Sequence, residues 1–519
     1  MSPLALLCLA PLLVFVVLFV RFRCSRYHRL ISEIPGPRGL PLIGQLLTVM
    51  ASTDRLMDFL KELCQVYGFT GAGWIGPYAF VCLGEPGDLE ILLNKNECLS
   101  KPVTYKPLEL CFGYSAITAC RADWKRYRKL MHPSFSTQTL ETFVPAFNKK
   151  GETLSRVLEK RAGGEEFDVL TTMMLCTLDI VTETSLGADM DLLEQNKVEL
   201  ADSFDVAREL LYFTVLRPWY WIPAFSKRTS TYKKMASGLK ALWDFTDDVI
   251  VRKLSLSEEA DAGVREDEAR DLECEPSPRK KRMGFIDHVI SCMRQQSDLL
   301  TRTELKDNTF TVIIGGMDTS SIAMSALLML LGLHRDVQEK IVDELRDVFD
   351  DDVRREATAD DLGRMAYLEQ VINETLRLYP PLPAVMREVE DEVKLTKYTL
   401  PKGCVVVIPM YLVHRNPEYF PDPDRFDPDR FNVENSANRH PYSFIPFLSG
   451  KRMCIGKKYA YMQMKTLLST LLRKYEVLPS CTREEMERVQ FKLTLNFING
   501  CKVKLTPRIW ERNNSNNAA

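Results

Sequence analysis

Phe447-Leu448-Ser449-Gly450-Lys451-Arg452-Met453-Cys454-Ile455-Gly456 is the stretch that decides how this chain is read. It runs directly into residues 456–474, whose apolar positions recur with a 3.6-residue period, so Cys454 is placed at the start of a helix. The positive end of a helix dipole lowers a thiol pKa, and Arg452 adds a further positive charge nearby. Glycines at 450 and 456 permit tight turns and the close approach of a flat ligand. The pattern is how a stable thiolate facing a cofactor would be built. Composition does not single this thiol out. Fourteen cysteines in 519 residues fall far below disulfide-scaffold density, and no C-x-x-C pair supports a zinc ribbon or a thioredoxin-like site. A net charge of −2 excludes a global field aimed at nucleic acid.

Working outward, residues 302–334, 121–131, 197–213, 232–254, 336–349, 364–379 and 54–67 also carry helical periodicity, whereas strand-like runs are short: 78–83, 404–410 and 490–505. Residues 255–282 combine an acidic stretch, Pro276, Pro278 and the basic run Arg279–Arg282, and are expected to form a solvated loop. Leu4–Val20 is an apolar run broken only by Pro11. No charge precedes it and Arg21, Arg23, Arg26 and Arg29 follow, so the positive-inside rule predicts an anchor with the body in the cytosol. The expected organisation is a transmembrane anchor over 1–20, a basic and proline-rich linker over 21–44, a catalytic body over 45–508 and a flexible tail over 509–519.

Three further patterns lie between the linker and Cys454. Gly315-Gly316-Met317-Asp318-Thr319 places two glycines and two polar residues inside a largely apolar helix, each glycine costing about 1 kcal/mol relative to alanine. Helix packing at small residues is the plain alternative. Glu374 and Arg377 sit three apart, on one helix face, where they can pair. Trp124 and Arg128 are similarly one turn apart.

Taken with the decapeptide, these patterns resemble the cytochromes P-450, the haem-thiolate monooxygenases. Every fixed position of the haem-binding signature F-x-x-G-x-R-x-C-x-G is filled, by Phe447, Gly450, Arg452, Cys454 and Gly456. The resemblance implies a mostly α (α+β) P-450 fold, with a large helical domain, a smaller β-rich region and one N-terminal transmembrane helix. It implies haem b ligated through iron by Cys454 and otherwise non-covalent. It implies that Thr319 hydrogen-bonds dioxygen or water, that Asp318 helps relay protons, and that Glu374, Arg377 and Arg430 form a buried haem-supporting network. Trp124, Arg128 and Arg387 would bind the haem propionates, with His132 a further candidate. The implied reaction inserts one oxygen atom from O2 into a lipophilic substrate: a fatty acid, steroid, hormone-like molecule or xenobiotic. Electrons would come from NADPH through a separate NADPH–cytochrome P-450 reductase, with cytochrome b5 as an optional second donor, at the endoplasmic reticulum membrane. Lys125, Lys129, Lys457 and Lys458 could attract such an acidic partner. Two rival readings are a haem-thiolate isomerase or dehydratase that uses no O2, and a non-enzymatic haem carrier. Asp318-Thr319 argues against the first.

Within the family, the region from Arg377-Leu378-Tyr379-Pro380-Pro381 to His414-Arg415-Asn416-Pro417 is similar to the animal fatty-acid ω-hydroxylase branch and its insect relatives. Many members of that branch carry Glu immediately before the Gly of the oxygen motif, where it can esterify a haem methyl. Here that position is Gly315, so no ester is expected.

Overall fold

The computed structural model describes residues 20–267, 284–296, 299–350 and 352–510. The expected anchor and most of the expected tail lie outside them. Twelve principal helices follow in order: α1 (Leu56–Tyr67), α2 (Pro86–Asn94), α3 (Arg121–Met131), α4 (Val144–Glu159), α5 (Leu170–Leu186), α6 (Val198–Val215), α7 (Ser230–Asp267), α8 (Phe285–Gln295), α9 (Arg302–Leu333), α10 (Arg335–Phe349), α11 (Ala366–Leu378) and α12 (Lys457–Lys474). The protein is therefore mostly helical with a small β region, as expected. The chain divides into two compact units.

The first unit comprises the described residues up to Val103, with Ala384–Pro423 and His440–Met453. It is built on a four-stranded sheet of order β1-β2-β4-β3, where β1 is Thr70–Ile75, β2 Tyr78–Leu83, β3 Val385–Glu388 and β4 Val405–Ile408. β1 and β2 form an antiparallel hairpin closed from Ile75 to Tyr78, β2 runs parallel to β4, and β3 is antiparallel to β4. The segment before Lys101 extends this edge, since Glu388 N donates to Ser100 O at 3.0 Å.

The second unit comprises Thr104–Pro383, Asp424–Arg439 and the described residues from Cys454 on. Its axis is α9. Thr301 and Glu304 close a capping box at its start, and almost every later residue is buried. Its most apolar window passes a length-and-hydropathy test for a membrane span, but 83% of that window is buried in protein, so α9 is a core helix. α5 lies along it in the most extensive element contact among the described residues.

Several expectations are corrected. Residues 255–267 are not loop: α7 continues through them, because Glu, Ala and Arg sustain a helix without an apolar stripe. Residues 268–282 lie outside the described residues. The run 490–505 is three strands, Val489–Lys492, Thr494–Phe497 and Lys502–Pro507, broken where Leu493 and Gly500 take positive φ (68° and 78°). The 404–410 strand ends at Ile408, since Pro409 has no N–H to donate. α5 was not expected, because it is buried on nearly every face and shows no polar stripe.

α3 is fixed to the start of α9 by one carboxylate. Glu304 accepts from Tyr127 Oη (2.7 Å), from Thr301 N (2.9 Å) and from the Arg126 guanidinium. Burial pushes the Glu304 carboxyl up, but the Thr301 N–H, the Tyr127 hydroxyl and Arg126 outweigh it and hold it at about 2, against an ordinary 4.5. A depressed carboxylate stabilises the fold above its ordinary value and loses that contribution as pH falls toward the folded value. Glu304→Gln should lower stability near neutral pH by about 1.5–3 kcal/mol. The gap in thermal midpoint between the two proteins should narrow as pH drops below 4.5. A gap independent of pH would contradict this assignment.

Candidate functional site

Cys454 immediately precedes α12, and its side chain has accessible surface while protein surrounds it closely enough to penalise a charge. The two observations agree if the sulfur lines an interior space. Burial raises the thiol; the backbone N–H groups of Gly456 and Lys457 and the charges of Arg128 and Lys457 lower it. Burial prevails, which corrects the expectation of a thiol depressed by the protein alone. The cations that oppose burial at the sulfur are Arg128 and Lys457, while the Arg452 guanidinium donates to Leu99 O. A metal cation on the sulfur would reverse the balance.

Of the two glycines of the decapeptide, Gly450 has a local steric reason and Gly456 does not. Gly450 has φ +70°, and a Cβ there would lie 2.3 Å from Leu93 O, so close backbone approach dictates it. A Cβ on Gly456 would meet only Cys454 Sγ, at 3.9 Å. Phe447 is half-buried in the same turn. Residues 447–453 belong to the first unit and Cys454–Gly456 to the second.

In the second unit, Trp124 is buried on α3 and Arg128, one turn on, is half-buried; burial lowers its pKa and the Cys454 thiol opposes this. His132 is exposed in the turn that follows. In the first unit, Arg387 is 2% exposed on β3, and the two charges that most depress Lys101, after burial, are those of Arg387 and Arg452. The bridge between Ser100 and Glu388 and the Arg452–Leu99 hydrogen bond place these three basic side chains together. Such a cluster suits an anionic ligand.

α9 carries the second set of residues. Amid its buried turns, Gly315 is exposed and Gly316 and Thr319 are half-exposed. A Cβ on Gly315 would meet nothing within 4 Å, whereas one on Gly316 would lie 2.9 Å from Val181 Cγ2. Helix packing therefore explains Gly316 and does not explain Gly315, which leaves open space. Thr319 Oγ1 donates to Gly315 O at 2.8 Å. Asp318 turns away and is 2% exposed, 3.7 Å from Arg208 of α6. Burial raises its carboxyl; Arg208 and Thr494 lower it. Arg208 in turn donates to Thr494 Oγ1 (3.2 Å) and Asp205 Oδ1 (2.7 Å).

Glu374 and Arg377 are fully buried and bidentate, at 2.7 and 2.8 Å. Arg430 Nε lies 3.6 Å from the same carboxylate, and Asp427 N donates to it at 2.8 Å. Removing one partner from such a pair costs about 3–5 kcal/mol. The structure thus brings Glu374, Arg377 and Arg430 together.

Sequence reasoning missed Lys101, Arg208 and Thr177, which donates to Met317 O of α9. Arg208 reads as the polar side of an amphipathic segment, and nothing in the pattern shows that Asp318 would meet it.

Within the second unit these residues fit the implied haem: a sulfur donor with accessible surface, an open helix face at Gly315, and Arg128 as a cation for a carboxylate. Haem should be fully released by acidified organic solvent, because Gly315 offers no carboxylate for an ester. Haem retained on the chain after extraction would contradict this.

The family model described as Cytochrome P450 matches residues 34–499. Cytochrome P450 4c3 of Drosophila melanogaster is 32% identical over 98% of this chain and 95% of its own length. Cytochrome P450 4V2 of Rattus norvegicus is 33% identical over 93% and 91%. Its Homo sapiens counterpart is 32% identical over 95% and 94%.

Proposed function

The chain belongs to the cytochrome P450 family, and on that premise we propose that it is a membrane-anchored monooxygenase of lipophilic substrates with Cys454 as its iron ligand. As a family member it is an oxidoreductase that binds haem through a cysteine thiolate and uses O2, a small-molecule substrate and redox partners. When bound, the haem supplies O2 activation and transfer of one oxygen atom to a C–H bond, favoured by electron donation from the thiolate.

The observation that carries the reading is the convergence on Cys454 Sγ of two backbone N–H groups and the Arg128 charge, at a helix start. In the second unit Trp124 and Arg128 are suited to a haem propionate, and in the first unit Arg387 and Arg452 are suited to an anionic group, with Phe447, Gly450 and Gly456 shaping the cysteine loop. On α9, Thr319 turns its hydroxyl from Gly315 O to hold a proton or water over the open face. Asp318, raised by burial and restrained by Arg208, passes protons inward from the α6 side. Glu374, Arg377 and Arg430 keep the supporting fold.

The aromatic stretch 212–225 supports a membrane-facing surface, from which a lipophilic substrate would enter. Tyr212, Tyr220 and Trp221 are buried, while Trp219, Ile222 and Phe225 point outward at 38%, 58% and 49% exposure. Apolar tips beside Arg217, Lys227 and Arg228 suit the surface of a membrane. The apolar run before Arg21 supplies the anchor, which places the body on the cytosolic side of the endoplasmic reticulum. Exposed Lys125, Lys129, Lys457 and Lys458 suit an acidic electron donor, NADPH–cytochrome P-450 reductase or cytochrome b5.

Full-length protein in phospholipid vesicles with the reductase should convert members of a fatty-acid, steroid and xenobiotic panel only when NADPH is present. One atom of labelled O2 should appear in product. Product formed without NADPH would support an isomerase or dehydratase instead, and haem-loaded protein that turns over nothing would support a carrier.

A further inference from the structure

The segment that carries Asp318 and Thr319 is held from the side. Thr177 of α5 is fully buried, and its Oγ1 lies 2.9 Å from Met173 O, 3.1 Å from Met174 O and 2.9 Å from Met317 O. The first two carbonyls belong to its own helix. The third belongs to α9. A hydroxyl has one hydrogen and a carbonyl oxygen has none, so the contact with Met317 O is attractive to the extent that this hydrogen is shared across the helices. Thr182, also buried on α5, turns its hydroxyl to Leu178 O and Asp179 O of its own helix.

One turn beyond Thr177, Val181 fills the place where a Cβ on Gly316 would sit. Thr177 and Val181 therefore grip two consecutive residues of α9, Met317 and Gly316. Around them, Gly315 O accepts the Thr319 hydroxyl and Asp318 O accepts the Ser321 hydroxyl, each at 2.8 Å. Side-chain donors on helix carbonyls bend the helix locally, and the preceding glycines make this turn easy to deform. The Met317 carbonyl and the Asp318 N–H share one rigid peptide plane. A lateral hydrogen bond to the first sets the orientation of the second.

We propose that Thr177 is a positioning residue for oxygen activation: through Met317 O, and with Val181 against Gly316, it fixes the backbone from which Asp318 and Thr319 deliver protons. This rests on the monooxygenase reading above. When protons reach the correct oxygen, two electrons, two protons and O2 give oxygenated substrate and one water. When they do not, the same two electrons and two protons leave with O2 as hydrogen peroxide, and the substrate is unchanged.

The test compares Thr177→Val, Thr177→Ser and Thr182→Val in the full-length, haem-loaded protein. Thr177→Val keeps the shape and removes the hydrogen-bond donor. The ratio of peroxide to product should rise roughly fivefold, a change one ordinary hydrogen bond can control. Amide exchange over 315–321 should accelerate, with the reduced-CO band unchanged. Thr177→Ser should restore both. Thr182→Val should destabilise to a similar degree and leave the ratio unchanged. An unaltered ratio and exchange rate in Thr177→Val would overturn the proposal, as would an equal rise in Thr182→Val, which would make the effect one of stability alone. Amide exchange needs no turnover, so it tests the grip of α5 on α9 even if the monooxygenase reading fails.

Discussion

Burial of the Cys454 thiol is the constraint around which the neighbouring charges of the second unit are set. It drives the thiol toward its neutral form, and the groups that favour the charged form are drawn from two helices. α12 contributes N–H groups at its start. α3 contributes Arg128, whose own burial is a cost. α3 can hold that charge in place because Arg126 and Tyr127, on the same helix, converge on Glu304 at the first turn of α9. One carboxylate thereby couples the helix that faces the thiol to the helix that carries Gly315, Asp318 and Thr319. The lowering groups alone do not prevail, and a cationic metal on the sulfur would complete the balance.

α9 reconciles two demands. As the core helix it must be apolar and packed, and it is so apolar that length and hydropathy alone would make it a membrane span. Around Gly315, Asp318 and Thr319 it must also admit polar groups and open space. The conflict is resolved residue by residue. Gly316 is small so that α5 can approach, Gly315 is small where nothing approaches, and Thr319 satisfies its hydroxyl on its own helix. Asp318 is buried against Arg208, which avoids an isolated charge while leaving the carboxyl raised.

How much of this was legible in the sequence follows from the range of each interaction. Motif residues whose partners are three or four positions away were readable, as Glu374 with Arg377 shows, and so was the placement of Cys454 before a helix. Helices with a polar stripe, such as α3 and α10, could be placed closely. α5 could not, because a helix buried all round has no period to detect, and with it went Thr177. Lys101 and Arg208 act on partners hundreds of residues or a whole helix away, and no local pattern marks them. The direction of the Cys454 shift was misjudged for a related reason. Dipole and neighbouring arginine are visible in sequence, but the depth of burial that outweighs them is not.

The reduced, CO-bound absorption spectrum tests the central claim most directly, with Cys454→Ala measured beside the unaltered protein. Thiolate ligation predicts a strongly red-shifted Soret band in the unaltered protein and its loss in the variant. A red-shifted band that survives in Cys454→Ala, or one absent from correctly folded, haem-loaded unaltered protein, would contradict the account.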